Sequence, residues 1–114
     1  MVTKKKFYNR IEYRNEKGQR HRLDGPAREF NSGTKQWWIN GLLHRQDGPA
    51  IEINDGTGTK VWLINGLYHR EDGPACEWCN GDKEWWLKGK RYSEQEWQQE
   101  IINIKLERLK NYGN

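Results

Sequence analysis

Hydrophobic residues recur along the chain in short alternating runs, each of which ends at a turn signal. Two of these runs, Trp37-Trp38-Ile39-Asn40-Gly41 and Trp62-Leu63-Ile64-Asn65-Gly66, have nearly the same sequence, and Trp85-Trp86-Leu87-Lys88-Gly89 is a third copy. A side-chain period of two is typical of β-strands, and Asn-Gly is a strong signal for a two-residue hairpin turn. The pattern therefore predicts a series of β-hairpins.

A heptad that occurs three times separates the hairpins. It reads His44-Arg45-Gln46-Asp47-Gly48-Pro49-Ala50 in the middle of the chain, and its other copies span residues 21–27 and 69–75. Asp can cap its own turn, Gly is conformationally free and Pro blocks ladder pairing, so turn chemistry is enough to explain the heptad. Self-similarity of this kind is the signature of a repeat architecture, with a basic period of about 23 residues. The middle hairpin carries two extra residues in its tip, Asp55-Gly56-Thr57-Gly58.

The repeats are predicted to occupy residues 7–92 of a single domain that spans residues 1–114. Residues 1–6 are expected to form a frayed basic tail. Ser93-Glu94-Gln95-Glu96 is a capping box, after which Trp97, Ile101 and Ile104 follow helical spacing, so one helix is predicted over residues 93–112. The predicted fold is mainly β: a single-layer antiparallel β-meander of hairpin repeats with one C-terminal α-helix packed on one face.

The two-residue turns fix the register and sort the side chains into two faces. A predicted core face, most of which the helix would cover, holds Trp37, Trp62, Trp85, Ile39, Ile64, Leu87, Phe30, Ile53, Trp78, His44, His69 and Tyr92. A predicted binding face holds Ala27, Ala50, Ala75, Glu29, Glu52, Glu77, Trp38, Leu63, Trp86, Leu43, Tyr68 and Arg91, with Arg45 and Arg70 at its edge. The alternative is that the helix covers part of the second face.

The predicted binding face carries the candidate site. Large exposed apolar patches usually mark an interface, and Trp, Tyr and Arg dominate binding energy there. The candidate partner-binding residues are Trp38, Leu43, Leu63, Tyr68, Trp86, Arg45, Arg70 and Arg91. Nucleic acid is a weaker candidate than protein, because the row of Glu29, Glu52 and Glu77 on the same face would repel phosphates.

Composition limits the other functional classes. The chain is only 33% hydrophobic and 32% charged, with a net charge of +4. It lacks an apolar run of the roughly 20 residues needed to cross a bilayer, and its start lacks the apolar stretch of a signal peptide, so a cytoplasmic location is expected. The basic groups Lys4–Lys6 and Lys105, Arg108 and Lys110 near the two termini suit an acidic partner or simply a solubilising surface.

The chain offers little for catalysis or metal binding. Cys76 and Cys79 form a lone C-x-x-C, whereas a structural zinc site needs four ligands. The three heptad histidines occupy equivalent positions about 9–10 Å apart, too far for one ion to bridge. The Glu row is expected to form a solvated ladder that pairs with Arg. With no nucleotide loop and no G-x-S-x-G, we expect no enzyme, cofactor, metal or small-molecule substrate.

The repeat resembles the MORN family, in the variant W-x-x-N-G-x-x-H-R-x-D-G-P-A. Residues 37–50 and 62–75 carry the motif, and degenerate copies extend the resemblance over roughly residues 13–92. It implies an elongated antiparallel β-meander that serves as a binding scaffold for proteins and, in some members, for anionic phospholipids. Trp-Trp or Trp-Leu replaces the usual Tyr-x-Gly of the strand, so lipid binding transfers poorly. Short chains with this variant and a Ser-Glu-x-Glu-aromatic ending are similar to proteins encoded by phages and large viruses.

These observations lead to two functional hypotheses. The first is a non-enzymatic module that binds a protein partner stoichiometrically, such as a phage-encoded inhibitor of a bacterial defence system acting in the host cytoplasm. The alternative is a peripheral adaptor that binds anionic phospholipid or nucleic acid through its basic termini. Association of the sheet into a homodimer is a third option.

Overall fold

The computed structural model describes residues 1–56 and 58–112 and confirms the predicted fold class. The chain is mainly β, its strands pair antiparallel as a meander, and the capping box starts one C-terminal helix. Thr57, in the longer hairpin tip, lies outside the described residues. Within them the elements are β1 Thr3–Lys6, β2 Arg10–Arg14, β3 Arg28–Phe30, β4 Lys35–Gln36, β5 Trp38–Ile39, β6 Leu42–Leu43, β7 Ile51–Glu52, β8 Lys60–Val61, β9 Leu63–Ile64, β10 Leu67–Tyr68, β11 Cys76–Glu77, β12 Lys83–Leu87, β13 Lys90–Tyr92 and α1 Glu94–Tyr112.

The N-terminal residues are not a frayed tail, contrary to expectation. β1 pairs with β2 in a register that sets Thr3 opposite Arg14 and Lys6 opposite Ile11. It forms one edge of a nine-stranded sheet with the order β1-β2-β3-β4-β7-β8-β11-β12-β13. The basic sequence suggested a solvated tail, but ladder bonds to β2 offset the cost of ordering these residues.

In each repeat, the strand changes its pairing partners at one aromatic residue, the branch point. The N–H of Trp37 donates to the carbonyl of Ala50 at 2.8 Å, while its own carbonyl accepts the N–H of His44 at 3.0 Å. Before Trp37 the strand pairs with β3 and β7, and after it β5 pairs with β6, as the turn at Asn40-Gly41 predicted. Residues 44–50 therefore leave the sheet as a loop with both ends bonded to one residue. We call residues 21–27, 44–50 and 69–75 the heptad loops.

An arginine holds each heptad loop closed. The Arg45 guanidinium lies over the Trp37 ring, and donates to Asp47 at 3.0 Å, to the Pro49 carbonyl at 3.1 Å and to Glu52 at 3.2 Å. A Cβ built on Gly48 would lie 2.8 Å from the Arg45 Cζ, so only glycine leaves room for this arrangement. Arg22 and Arg70 make the equivalent bonds. Turn chemistry alone is thus not enough to explain the heptad.

Each histidine joins its unit to the following hairpin. The Nδ1 atoms of His21, His44 and His69 accept the backbone N–H groups of Asn40, Asn65 and Lys88, each at 2.9 Å. Backbone bonds run beside these contacts, as from Arg45 N to Leu63 O at 3.1 Å and from Gly66 N to Leu43 O at 2.8 Å. The repeated histidines are structural acceptors between units.

The predicted faces were wrong for two rows of residues. Phe30 N donates to Thr34 O at 2.9 Å across the turn at residues 31–33, which pairs Arg28 with Gln36. Across a three-residue turn, even-numbered residues lie opposite even-numbered residues. Phe30 therefore shares a face with Gln36 and Trp38, and not with Trp37. The corresponding shifts place Ile53 and Trp78 with Leu63 and Trp86. The rows Glu29, Glu52 and Glu77 move to the opposite face, beside Trp37, Trp62 and Trp85.

The larger of the two buried clusters therefore lies on the predicted binding face. Ala50, Val61, Leu63 and Cys76 are buried there. Larger, half-buried side chains pack against them and make up what we call the aromatic face: Leu43, Ile51, Tyr68, Trp78 and Trp86. These large side chains lie against the sheet, which explains how a single layer with few aliphatics buries a core.

The helix packs on the opposite face but over a small part of it. Trp97 and Ile101 are buried against Leu87, and the Trp97 ring lies 4.7 Å from that of Trp85. The Trp97 Nε1 donates to the Arg70 carbonyl at 3.1 Å, and Arg108 pairs with Glu71 at 2.8 Å. The predicted cover of most of this face is wrong, since the buried contacts of α1 are confined to the last unit. Within the described residues, no helix is long and apolar enough to cross a membrane.

Candidate binding surfaces

The eight predicted partner-binding residues do not lie together on one surface. Leu63 is 4% exposed and belongs to the core, so it is unavailable to a partner. Leu43, Tyr68 and Trp86 are half-buried on the aromatic face. Arg45 and Arg70 point to the opposite face, where they stack on Trp37 and Trp62 inside the heptad loops.

The last two predicted residues lie in different units. Trp38 donates its Nε1–H to Gln36 at 3.1 Å and carries Arg20 over its ring. Arg91 is exposed on β13, directly opposite Trp86. Both share a face with the aromatic cluster, because Gln36 is in register with Ile51 and Arg91 with Trp86.

A carboxylate orders the aromatic face. The Trp78 Nε1 donates to one Glu84 oxygen at 2.7 Å, and the Trp86 Nε1 donates to the other at 2.9 Å. The Tyr68 ring meets the Trp86 ring edge-on at 5.0 Å between centroids. Burial raises the pKa of the Tyr68 hydroxyl above its usual range, with smaller contributions from Cys76 and Glu84. The indoles are therefore fixed in orientation before any partner arrives.

The cysteines do not form a reactive pair. Cys76 is fully buried in the core, and burial, reinforced by the nearby Glu84 carboxylate, raises the pKa of its thiol to about 12. Cys79 is exposed, and both are free thiols. The thiolate is the form that attacks substrates and binds metals, so burial disfavours both roles for Cys76. Among the described residues, no group of three or more His, Cys, Asp or Glu side chains is placed to hold a metal ion.

Two shallow grooves repeat on the face opposite the aromatic cluster. The first, of about 760 Å³, lies between the heptad loops at 21–27 and 44–50 and is lined by Trp37, Ile39 and His44. The second, of about 790 Å³, is lined by the equivalent residues Trp62, Ile64 and His69, and Lys105 of the helix borders it. The helix thus reaches the second groove, while the lining of the first comes from the repeats.

Four arginines surround a single carboxylate in the first unit, a feature that the sequence analysis missed. The Glu12 side chain is fully buried and contacts Arg10 at 2.7 Å, Arg14 at 2.8 Å and Arg28 at 2.9 Å, with Arg20 at 3.6 Å. Burial opposes ionisation of Glu12, but bonds to Arg10 and Arg14 and the charges of Arg28 and Arg20 lower its pKa to about 2. We call these five residues the arginine cluster.

Charge is divided unevenly along the chain. Residues 1–36 contain ten Lys and Arg against four Asp and Glu, a net charge of +6, whereas residues 37–114 contain ten against twelve, a net charge of −2. A segment-by-segment charge count could have revealed this. The basic groups near both termini suggested a similar charge at the two ends, whereas the excess of positive charge lies within residues 1–36.

Comparison with models of protein families, with curated proteins and with solved structures finds no match for the chain.

Proposed function

We propose that the chain is a non-enzymatic repeat module that binds a protein partner stoichiometrically through its aromatic face. The observation that carries this proposal is the position of Tyr68, Trp78 and Trp86. They are half-buried together on one face, while the helix packs on the other face. Aromatic clusters of this kind supply most of the binding energy in protein interfaces.

The surroundings of the aromatic face define the chemistry of the partner. Exposed Arg91 lies at one end, and the positively charged first unit, which includes Arg20, lies at the other. Charge complementarity favours a partner with an apolar patch bordered by carboxylates. The Glu84 bonds hold both indoles in place, so little side-chain entropy would be lost on docking.

The polar side chains of the repeats support a binding role over a catalytic one. The heptad arginines close loops, and the heptad histidines accept backbone bonds between units. A rigid module whose arginines and histidines hold its own fold together acts by binding to its partner and blocking a surface of it. A phage-encoded inhibitor of a bacterial defence protein would work in this manner. The shared geometry of the heptads supports assigning the repeats to a MORN-like type, as part of the same proposal.

The alternative adaptor role receives unequal support at the two termini. Arg108 is paired with Glu71, and Lys110 lies near Glu107, so the C-terminal basic group is partly neutralised. The lysines of β1 are exposed and belong to the positively charged first unit. Binding of a polyanion is therefore better supported at the N-terminal end.

Two charge reversals on neighbouring residues of β13 test the proposal. A protein captured from a nuclease-treated lysate is purified and titrated by calorimetry, where a 1:1 stoichiometry is expected. Arg91→Glu, and separately Trp86→Phe, should weaken binding by roughly tenfold or more. Lys90→Glu, the adjacent exposed position that faces away from the aromatic cluster, should leave it nearly unchanged.

Two results would contradict the proposal. One is equal loss of affinity in the Lys90→Glu and Arg91→Glu variants, which would place the interface elsewhere. The other is light scattering that shows only self-association, which would make the partner a second copy of the chain.

Affinity should also change little between about 0.1 and 0.5 M salt, since screening weakens charge-driven binding far more than apolar contacts.

A further inference from the structure

The arginine cluster holds more positive charge than its own carboxylate can neutralise. Arg10 and Arg14 flank Glu12 on the same face of β2, Arg28 lies opposite it on β3, and Arg20 approaches from the adjoining turn. Four guanidinium groups therefore share one buried negative charge, which leaves an excess of three positive charges. Uncompensated positive charge attracts anions to its surroundings, and arginine forms strong charge-assisted hydrogen bonds with phosphate oxygens.

Some of the arginine donors remain unused inside the cluster. The Nε–H groups of Arg20 and Arg28 are buried and make no hydrogen bond within the described structure. Arg28 Nε lies 2.9 Å from a Glu12 oxygen, but its N–H is not directed at that oxygen, so this contact is an ion pair alone. Burial and the nearby charges of Arg20 and Arg10 lower the pKa of Arg28, despite the raising effect of Glu12. An added anion would relieve this repulsion.

A cavity open to solvent reaches two members of the cluster, Arg14 and Arg20. It has a volume of about 410 Å³ and is lined by Arg14, Gln19, Arg20, Trp38 and Asn40, among others. The side chains of Arg14 and Arg20 remain 38% and 33% exposed, so their outer nitrogens can reach a bound group. The Arg20 guanidinium lies 5.1 Å from the centroid of the Trp38 ring. The cavity thus combines two arginines with an aromatic wall and neutral amides.

Positive charge continues beyond this cavity along the same face. Lys5 of β1 lies directly opposite Glu12, which itself lies opposite Arg28, so all three project to one side of the sheet. Lys5 is exposed. The strip runs from β1 over β2 to Arg20, which is paired with Arg14, and so extends over about two strand spacings, or roughly 10 Å. It is therefore longer than a single phosphate, which indicates an extended polyanion as the ligand.

We propose that this strip binds single-stranded nucleic acid, with phosphates on Arg14, Arg20 and Lys5 and a base against Trp38. One arginine can donate two parallel hydrogen bonds to a phosphate, and bases stack on aromatic side chains beside basic grooves. The expected repulsion by the Glu row does not arise, because Glu29 and its equivalents lie on the opposite face. An acidic peptide would use the arginines but would gain nothing from the aromatic wall.

A fluorescence-anisotropy titration tests the proposal with the full chain and a labelled oligothymidylate of about 12 nucleotides. Three phosphate contacts predict a salt slope of roughly −2, or about a 20-fold loss of affinity between about 50 and 200 mM salt. Arg14→Gln and Arg20→Gln should each weaken binding roughly fivefold to tenfold and lower the slope by about 0.7. Lys90→Gln removes the same charge from an exposed position at the far end of the array and should retain nearly full affinity.

Two further variants separate binding from folding. Lys5→Gln alters an exposed residue and should weaken binding with no effect on thermal unfolding. Trp38→Phe should remove much of the tryptophan quenching that the oligonucleotide causes, since stacked bases quench indole emission. Arg20→Gln should not destabilise the chain, because it removes one of the repelling charges.

Several outcomes would overturn the proposal. Equal binding of a labelled polyglutamate of matched length would show a general polyanion surface, and binding of vesicles with about 30% phosphatidylserine in place of the oligonucleotide would show a membrane surface. Equal losses for Lys90→Gln and Arg20→Gln would show that net charge alone matters. The absence of oligonucleotide binding at about 50 mM salt would exclude the site. Inorganic phosphate should compete only weakly, because it can occupy only one of the contacts.

Discussion

The guanidinium carbon of Arg45 lies 3.7 Å from the centroid of the Trp37 ring, and Arg70 repeats this distance over Trp62. Each pair joins a heptad loop to the branch point from which the loop departs. Arg22 takes the same position over Tyr13 at 4.0 Å, so the first unit is complete although its aromatic residue differs. In the last unit Trp97 of the helix packs on Trp85, the equivalent of Trp37 and Trp62.

The closing of the heptad loop can be tested by a double-mutant cycle. Arg45→Ala should lower the free energy of unfolding by about 2–3 kcal/mol, since it removes three hydrogen bonds and a stacking contact. Gly48→Ala should cost nearly as much on its own, because the added methyl group displaces the guanidinium. It should cost much less in the Arg45→Ala background. Gln46→Ala, at an exposed position of the same loop, should change stability by less than about 0.5 kcal/mol in urea unfolding.

The histidine bond between units predicts a local change in amide exchange. His44→Phe removes the acceptor of the Asn65 N–H, so this amide should exchange with solvent distinctly faster. The equivalent amides of Asn40 and Lys88, which bond to His21 and His69, should be protected as before and serve as internal controls. Protection of Asn65 that survives the substitution would show that the imidazole contributes nothing to the joint.

The buried carboxylate of Glu12 predicts acid sensitivity. Its folded-state pKa of about 2 lies below the ordinary value of 4.5, so the ionised group stabilises the fold above about pH 4.5, and this contribution is lost as the pH falls toward 2. Glu12→Gln should therefore lower the free energy of unfolding by roughly 3 kcal/mol at pH 7, with a shrinking difference in more acidic buffer. Chemical denaturation of both proteins across this range measures the difference. A constant gap at every pH would mean that ionisation of Glu12 is not the cause.

Because the buried contacts of the helix are confined to the last unit, we expect the helix to unfold separately from the sheet. Trp97→Ala removes the larger of its two buried side chains and should cost about 3 kcal/mol. Because a helix of 19 residues is marginal without packing, the helical circular-dichroism signal should fall while the near-ultraviolet signal of the aromatic face persists. Gln98→Ala, at the exposed neighbouring position, should preserve both signals. Simultaneous loss of both signals would show that helix and sheet unfold as one unit.

Local chemistry made part of this structure predictable. The Asn40-Gly41 and Asn65-Gly66 turns fixed the hairpin registers, and both asparagines adopt the positive φ that such turns require. Ser93 and Glu96 exchange the two bonds of a capping box, as expected. These features depend on a few adjacent residues, which is why the sequence alone was sufficient.

The errors came from relations between distant segments. The placement of Phe30 on the same face as Trp37 ignored the odd length of the turn between them, and this exchanged the Phe30 and Glu29 rows between the faces. The arginine cluster brings together residues from β2, β3 and the turn near Arg20, in a unit that shows little of the repeat motif. No spacing rule identifies a buried Glu12, because its burial depends on which arginines the meander places around it.

The bonds from each heptad to the following hairpin make the length of the array an adjustable property. His44 accepts the N–H of Asn65 just as His21 accepts the N–H of Asn40. A duplicated unit inserted into the array would therefore donate its hairpin N–H to the histidine of the preceding unit. Its own histidine would accept the N–H of the following hairpin. The arginine cluster and the helix close the two ends and would not be disturbed. Gene duplication or deliberate construction could thus lengthen the chain one period at a time, and move its two ends apart by a chosen distance.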